Sequence, residues 1–303
     1  MKKVIRFNKF FSAAVILSSL LIIAGIVSVC TRGMNWGLEF KPGQNIQVAV
    51  KGDGVNSDKI TEVLAGTGIN ASVKAAGEGD YQIRTGADQN AEEAVKPALI
   101  AAFGEENVVV EQSQAISAQF STTLIRGSII LVLATLVLIF LYTLVRFKWD
   151  FALASVIAIV HDALIMISFL SFSQLEFTTT SIAAILTIIG YSINATVVIL
   201  DRVRSDMKIV EAKSFTDILN SALSGTLSRS IITTLTTLFA VLALVFFTTG
   251  DIKNFAIALV VGLISGCYSS MFIAGAFINA VRKNWKPSAV MPKANVVKME
   301  VEE

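Results

Sequence analysis

Five stretches of this chain, each 19 to 28 residues long, contain no charged side chain: Phe10 to Thr31, Gly127 to Val145, Phe177 to Leu200, Ser230 to Gly250 and Asn254 to Val281. About 20 apolar residues cross a bilayer core of roughly 30 Å as a helix. Only 16% of the 303 residues are charged, against about 25% in a soluble domain. A water-soluble globular enzyme, a disordered chain and a disulfide-stapled secreted domain are excluded. The pattern is that of a polytopic membrane protein.

A sixth span is expected from Phe151 to about Phe172, with His161 and Asp162 in its middle. An ionisable pair at such depth is expensive unless it faces the bundle interior, so it marks a functional site by default. The first span follows a basic start (Lys2, Lys3, Arg6, Lys9) and is longer than a signal-peptide core; a retained anchor is expected. Basic residues also cluster at Arg146 and Lys148, at Arg202, Arg204, Lys208 and Lys213, and in the tail after Val281. The opposite loops, 174–176 and 251–253, are poor in them. This asymmetry predicts cytoplasmic termini in a multi-pass cell-membrane protein.

Between the first two spans, residues 32–123 hold seven basic and twelve acidic side chains. A small extracytoplasmic domain is expected there. Asn35 to Phe40 and Ile46 to Val50 read as strands around Pro42-Gly43. Asn56 to Leu64 reads as a helix capped by Asn56 or Ser57. Ala71 to Lys74 and Tyr81 to Thr85 fit a hairpin turning at Gly77-Glu78-Gly79-Asp80. A helix follows over Asn90 to Phe103, then a strand over Asn107 to Gln112. The order contains the ferredoxin-like split arrangement. The fold expected is therefore six transmembrane helices (10–31, 124–145, 151–172, 177–200, 230–250 and 254–281) with an α/β ferredoxin-like domain inserted after the first.

Polar groups in the membrane half are few. The fourth span carries Gly190, Ser192, Asn194, Ala195 and Thr196, and Asn194 needs a partner at depth. Asp201 and Arg202 stand at its end, where charges are often interfacial caps. Arg229 enters the fifth span and either snorkels or turns towards the fourth helix. Thr233, Thr234, Thr236 and Thr237 mostly suit bonding to their own helix. Gly262 and Gly266 suit close packing. The loop 201–229 has Phe215, Ile218, Leu219, Ala222 and Leu223 at helical spacing, which predicts an amphipathic helix along the membrane surface. Cys30 and Cys267 give no reason to expect a disulfide or metal site. The chain contains no nucleotide-binding P-loop, zinc motif or nucleophile elbow. No cofactor, covalent chemistry or nucleic-acid partner is expected, and any work must draw on an ion gradient or a partner.

Leu186 to Asn194 with Thr196 to Arg202, and Leu227 to Leu238, resemble the fourth- and fifth-helix signatures of the SecF family, the smaller subunits of the SecDF complex of bacterial protein export. Arg146-Phe147, His161-Asp162, Gly262 with Tyr268-Ser269-Ser270, and more weakly Gly37 to Phe40 also match. The resemblance implies the resistance-nodulation-division superfamily and a SecD partner with six further helices. It implies assistance to the SecYEG channel and the SecA motor, with YajC- and YidC-like proteins as neighbours and unfolded preproteins as cargo. It implies that the proton-motive force (or a sodium gradient) draws exported chains outward. Family members often place Asp directly after the Asn of the fourth helix; here that residue is Ala195, which cannot titrate. Arg229 matches the family's functional arginine, and Asp162, His161, Asp201, Asn194 and Arg202 are the remaining candidates for ion coupling or interhelix contact. A carboxylate of SecD opposite Arg229, a changed ion and a purely structural subunit all stay open. So does a small-molecule or lipid exporter of the same superfamily.

Overall fold

The computed structural model describes residues 4–52, 54–77, 79–86, 91–209, 212 and 214–285. Glu78 at the hairpin tip, Asn90, Lys2, Lys3, Lys213 and the tail from 286 lie outside them. Among the described residues there are six helices long and apolar enough to cross a membrane. These are α1 (Asn8–Arg32), α4 (Ala118–Arg146), α5 (Trp149–Ser173), α6 (Thr179–Ile209), α7 (Phe215–Phe247) and α8 (Gly250–Val281). Residues 36–130 and the rest of the chain form two separate units.

The inserted unit is built from β1 (Gly43–Val50), α2 (Ser57–Gly66), β2 (Ala71–Ala75), β3 (Asp80–Thr85), α3 (Ala91–Phe103) and β4 (Val108–Ile116). Its sheet has the order β2-β3-β1-β4, antiparallel throughout, which is the ferredoxin-like topology. Alternation along β1 buries Ile46, Val48 and Val50 on one face, opposite Ile60 and Leu64 of α2 and Val95 and Leu99 of α3. Asn56 caps α2 by accepting from Lys59 N at 2.8 Å. The Gln44 side chain holds the start of α3 by accepting from Glu92 N at 2.9 Å.

The strand expected over Asn35 to Phe40 is absent. Leu38–Phe40 forms a 3-10 turn instead, closed by Phe40 N donating to Gly37 O. Pro42 has no N–H to give a ladder, so pairing begins only at Gly43, opposite Ile116.

The membrane unit runs up and down, so the start of α1, α5 and α7 and the end of α4, α6 and α8 share one basic end. Small residues bring the helices together. A Cβ on Gly25 of α1 would lie 3.0 Å from the Ser168 Cα of α5 and closer still to its side chain. Three residues on, Ser28 and Ser171 hydrogen-bond at 2.8 Å. We expect Gly25→Leu to force α1 off α5 and cost about 1–3 kcal/mol or more, read as a lowered unfolding midpoint in detergent. An unchanged midpoint would show that α1 does not pack this closely.

Two expectations about residues 201–229 are corrected. The segment is no surface loop: α6 continues to Ile209 and α7 starts at Phe215. At 33 residues α7 is about 50 Å long, and its first part reaches beyond the bilayer core. A capping box between Ser214 and Asp217 sets its start. Phe215, Ile218, Leu219, Ala222 and Leu223 do share a face, but each is at most 2% exposed. They pack with Phe7 just before α1, Phe11 of α1, Phe151 of α5, Val203 of α6 and Ile278 of α8. Protein covers this amphipathic face, leaving none of it for a lipid surface.

Candidate functional site

Small residues on one face of α8 make room for a carboxylate. Gly262, Ser265, Gly266 and Ser269 recur at helical spacing and are all buried. A Cβ on Gly262 would lie 2.9 Å from Met166 Sδ, and one on Gly266 would lie 3.4 Å from Ser192 Cβ. Helices α5 and α6 therefore close on α8, and Asp162 of α5 enters the space between them.

Asp162 is 1% exposed, and His161 is 6% exposed. Three serines from two other helices donate to the carboxylate. Ser192 of α6 reaches Oδ2 at 2.6 Å, Ser269 of α8 reaches Oδ2 at 2.7 Å, and Ser265 of α8 reaches Oδ1 at 2.7 Å. His161 Nδ1 stands 3.1 Å from Oδ1. Its Nε2 stands 2.9 Å from Ser18 Oγ of α1, which is 3.0 Å from the Tyr268 hydroxyl of α8. Tyr268 donates to Ala14 O of α1 at 2.7 Å. Four helices thus meet on one buried, fully hydrogen-bonded pair, which is how a membrane interior tolerates ionisable groups.

The other candidates lie elsewhere. Asn194 and Ala195 of α6 share a small cavity of about 50 Å³ with Tyr191, Arg229, Ser230 and Thr233. Arg229 does face α6, as one of its two expected placements requires. Arg229 and Asn194 are both exposed in this single chain, and among the described residues Arg229 makes no ion pair. Towards the basic end, Asp201 pairs with Arg146 at 3.0 Å and Arg202 with the buried Asp206 at 2.9 Å. A cavity of about 470 Å³ there is lined by Arg146, Asp201, Arg202 and Arg229, among others. Asp162 and Arg229 are therefore parts of two separate sites, one closed and one open. Thr233, Thr236 and Thr237 bond to their own helix, whereas Thr234 accepts from Tyr191 at 3.3 Å.

Ser18, Ser265, Ser269 and Tyr268 take working roles that the amino-acid pattern alone does not assign them. Serines at 265 and 269, four apart beside two glycines, are the available signal. Asp150 is likewise easily passed over, because it reads as a flank of the span yet is buried and paired with Arg282.

Six apolar helices long enough to span, a ferredoxin-like insertion after the first and a buried ionisable pair define a polytopic membrane protein with an inserted α/β domain. The family model described as "Protein export membrane protein SecD/SecF, C-terminal" matches residues 95–284, and the SecD/SecF GG motif matches residues 27–53. The chain belongs to the SecD/SecF family of protein export membrane proteins. It is 34% identical to the protein translocase subunit SecF of Borreliella burgdorferi over 300 residues, covering 94% of this chain and all of that one. It is 47% identical to the SecF subunit of Treponema pallidum over 192 residues, 63% of this chain and 46% of that protein. The crystal structure of SecDF from Thermus thermophilus, a translocon-associated membrane protein, superposes with a TM-score of 0.81 at 28% identity. That match covers 92% of this chain and 38% of the SecDF chain, so the chain spans well under half of that solved protein.

Proposed function

We propose that this chain is the SecF-type subunit of a bacterial protein-export machine, working beside a SecD-type partner and using an ion gradient to promote late steps of preprotein translocation. The observation that carries the coupling is the Asp162 cage. A single carboxylate joins α5 to α6 and α8, and His161 extends the network to α1, so a change in ion occupancy acts on the packing of four helices at once. Coupling requires that the ion and the exported chain favour different states.

Arg229, Asn194 and Ala195 occupy the open face of α6 and α7. With alanine at 195, residue 195 offers Arg229 no carboxylate, and Asp201, which lines the neighbouring cavity, is paired with Arg146. A SecD carboxylate seated there would supply the missing charge. The basic end lies in the cytoplasm, near SecYEG, SecA and YajC- and YidC-like neighbours, and residues 36–116 handle the emerging chain on the other side. No covalent step is involved.

Export rates in proteoliposomes containing the SecD-type partner and the translocon, under imposed proton and sodium gradients, test this. Wild type should respond to one gradient, and Asp162→Asn or Arg229→Ala should lose at least tenfold of that response. If wild type is indifferent to both gradients, the coupling reading is wrong. If both variants export normally while deletion impairs export, the subunit is structural.

A further inference from the structure

We infer that His161 and Asp162 together hold an exchangeable proton, and that releasing it breaks a hydrogen bond between α1 and α8. This rests on the coupling reading above and identifies its ion and its mechanical consequence. It follows from the number of protons along one chain of hydrogen bonds.

The chain ends at a backbone carbonyl, Ala14 O, which can only accept. Tyr268 has one hydroxyl proton and directs it there. Tyr268 therefore accepts from Ser18, which is 3.0 Å away. That uses the one proton of Ser18, so Ser18 Oγ must accept from His161 Nε2 at 2.9 Å. Nε2 thus carries a proton. At the other ring nitrogen, Nδ1 faces Asp162 Oδ1 at 3.1 Å. Two lone pairs cannot face each other at that distance in a buried site, so a second proton lies between Nδ1 and Oδ1. A neutral histidine beside a carboxylate holds one proton in total. This geometry holds two.

The three serine protons are already directed at Asp162, so they cannot supply the second proton. Among the described residues, the titratable groups that face the pair are each other and the Tyr268 phenol, whose ring centroid is 5.9 Å from that of His161. Among those residues, no lysine, arginine or further carboxylate is paired with them.

When the second proton leaves, the remaining one must sit on Nδ1 to serve Asp162. Nε2 then accepts from Ser18. Ser18 can no longer donate to Tyr268, and Tyr268 cannot serve both Ser18 and Ala14 O with one proton. One hydrogen bond of the Ser18–Tyr268–Ala14 chain is lost, and each bond of that chain beyond Ser18 joins α1 to α8. Proton release therefore loosens α1 against α8, while proton capture tightens it.

His161 is the only histidine in the chain, so a ¹⁵N-histidine label in this chain reports one residue. The spectrum in nanodiscs should show a proton on Nε2. Tyr268→Phe removes the acceptor that fixes the direction of the chain. Ser18 is then free to donate to Nε2, and the ratio of Nε2-protonated to Nε2-bare histidine should fall by up to about tenfold, the worth of one hydrogen bond. Ser18→Ala, which leaves Nε2–H without a partner, should lower it too. Sodium up to high concentration should leave the spectrum unchanged. An unprotonated Nε2 in the wild-type chain, or a ratio indifferent to both substitutions, would overturn the inference. These spectra need no partner and no exported protein, so export assays can fail while the proton site stands, and the reverse.

Discussion

Asp162→Ala is expected to destabilise the membrane unit by about 3 kcal/mol, whereas Asp162→Asn should stay within about 1 kcal/mol of wild type. Alanine removes the acceptor of Ser192, Ser265 and Ser269 and strands His161 Nδ1. Hydrogen bonds to charged groups are worth about 1.5–3 kcal/mol each, and a buried group left unsatisfied costs about 1–3 kcal/mol. The full sum is not reached, because serines in helices can turn to a backbone carbonyl; Ser269 already lies 3.3 Å from Gly266 O. Asparagine fills the same space. Its oxygen accepts from two hydroxyls, and its NH₂ donates to a serine that has rotated to accept. Thermal unfolding in detergent, followed by intrinsic fluorescence, separates the two variants. Equal loss in both would mean that filling and hydrogen bonding do not explain the cage. A stable Asp162→Asn chain that has lost gradient response would assign the coupling to the titrating group, with packing intact.

The division between what is legible in the amino-acid sequence and what is not follows physical lines. Long uncharged runs announce spanning helices because lipid leaves no other solution for the backbone. Alternation in β1 and the spacing of Ala91, Val95 and Leu99 announce the inserted domain, since burial on one face imposes a period. His161 and Asp162 stand out because charge at depth is costly. Most of their partners do not, because serine is common in membrane helices and Ser18, Ser265 and Ser269 come from two helices that only the fold brings to α5. The face of Phe215 to Leu223 is legible as apolar, but periodicity does not say whether lipid or protein covers it. Asp206 and Asp150 are hidden for a related reason. Each lies near a helix end, where a carboxylate is usually solvated, yet they are 0% and 5% exposed.

Asp150 carries the second large expectation: Asp150→Ala should cost about 3–5 kcal/mol, and most of that should return when Arg282 is also replaced. The pair joins the start of α5 to the residue just after α8, with Arg282 Nε 2.5 Å from Asp150 Oδ2 and both side chains at most 10% exposed. The guanidinium carbon lies 4.4 Å from the Phe151 ring centroid and 5.4 Å from that of Phe215, and Nη1 is 3.1 Å from Met207 Sδ. Arg282 is therefore enclosed by α5, α6 and α7. Removing the carboxylate leaves a cation held among aromatic rings with no counter-charge, and breaking one side of a buried pair is costed at about 3–5 kcal/mol. The helix ends are near water, so partial escape of the arginine brings the lower end of that range. Arg282→Met with Asp150→Leu keeps the volume and removes both charges, and such exchanges are often neutral or stabilising. Arg282→Lys should fall between, because an ammonium keeps the charge and loses the flat stacking surface. Unfolding midpoints for the single and double variants give the coupling energy directly. A double variant as unstable as Asp150→Ala alone would refute the charge argument. The loss would then lie in the packing of Phe151 and Phe215, around which α5 and α7 enter the bundle.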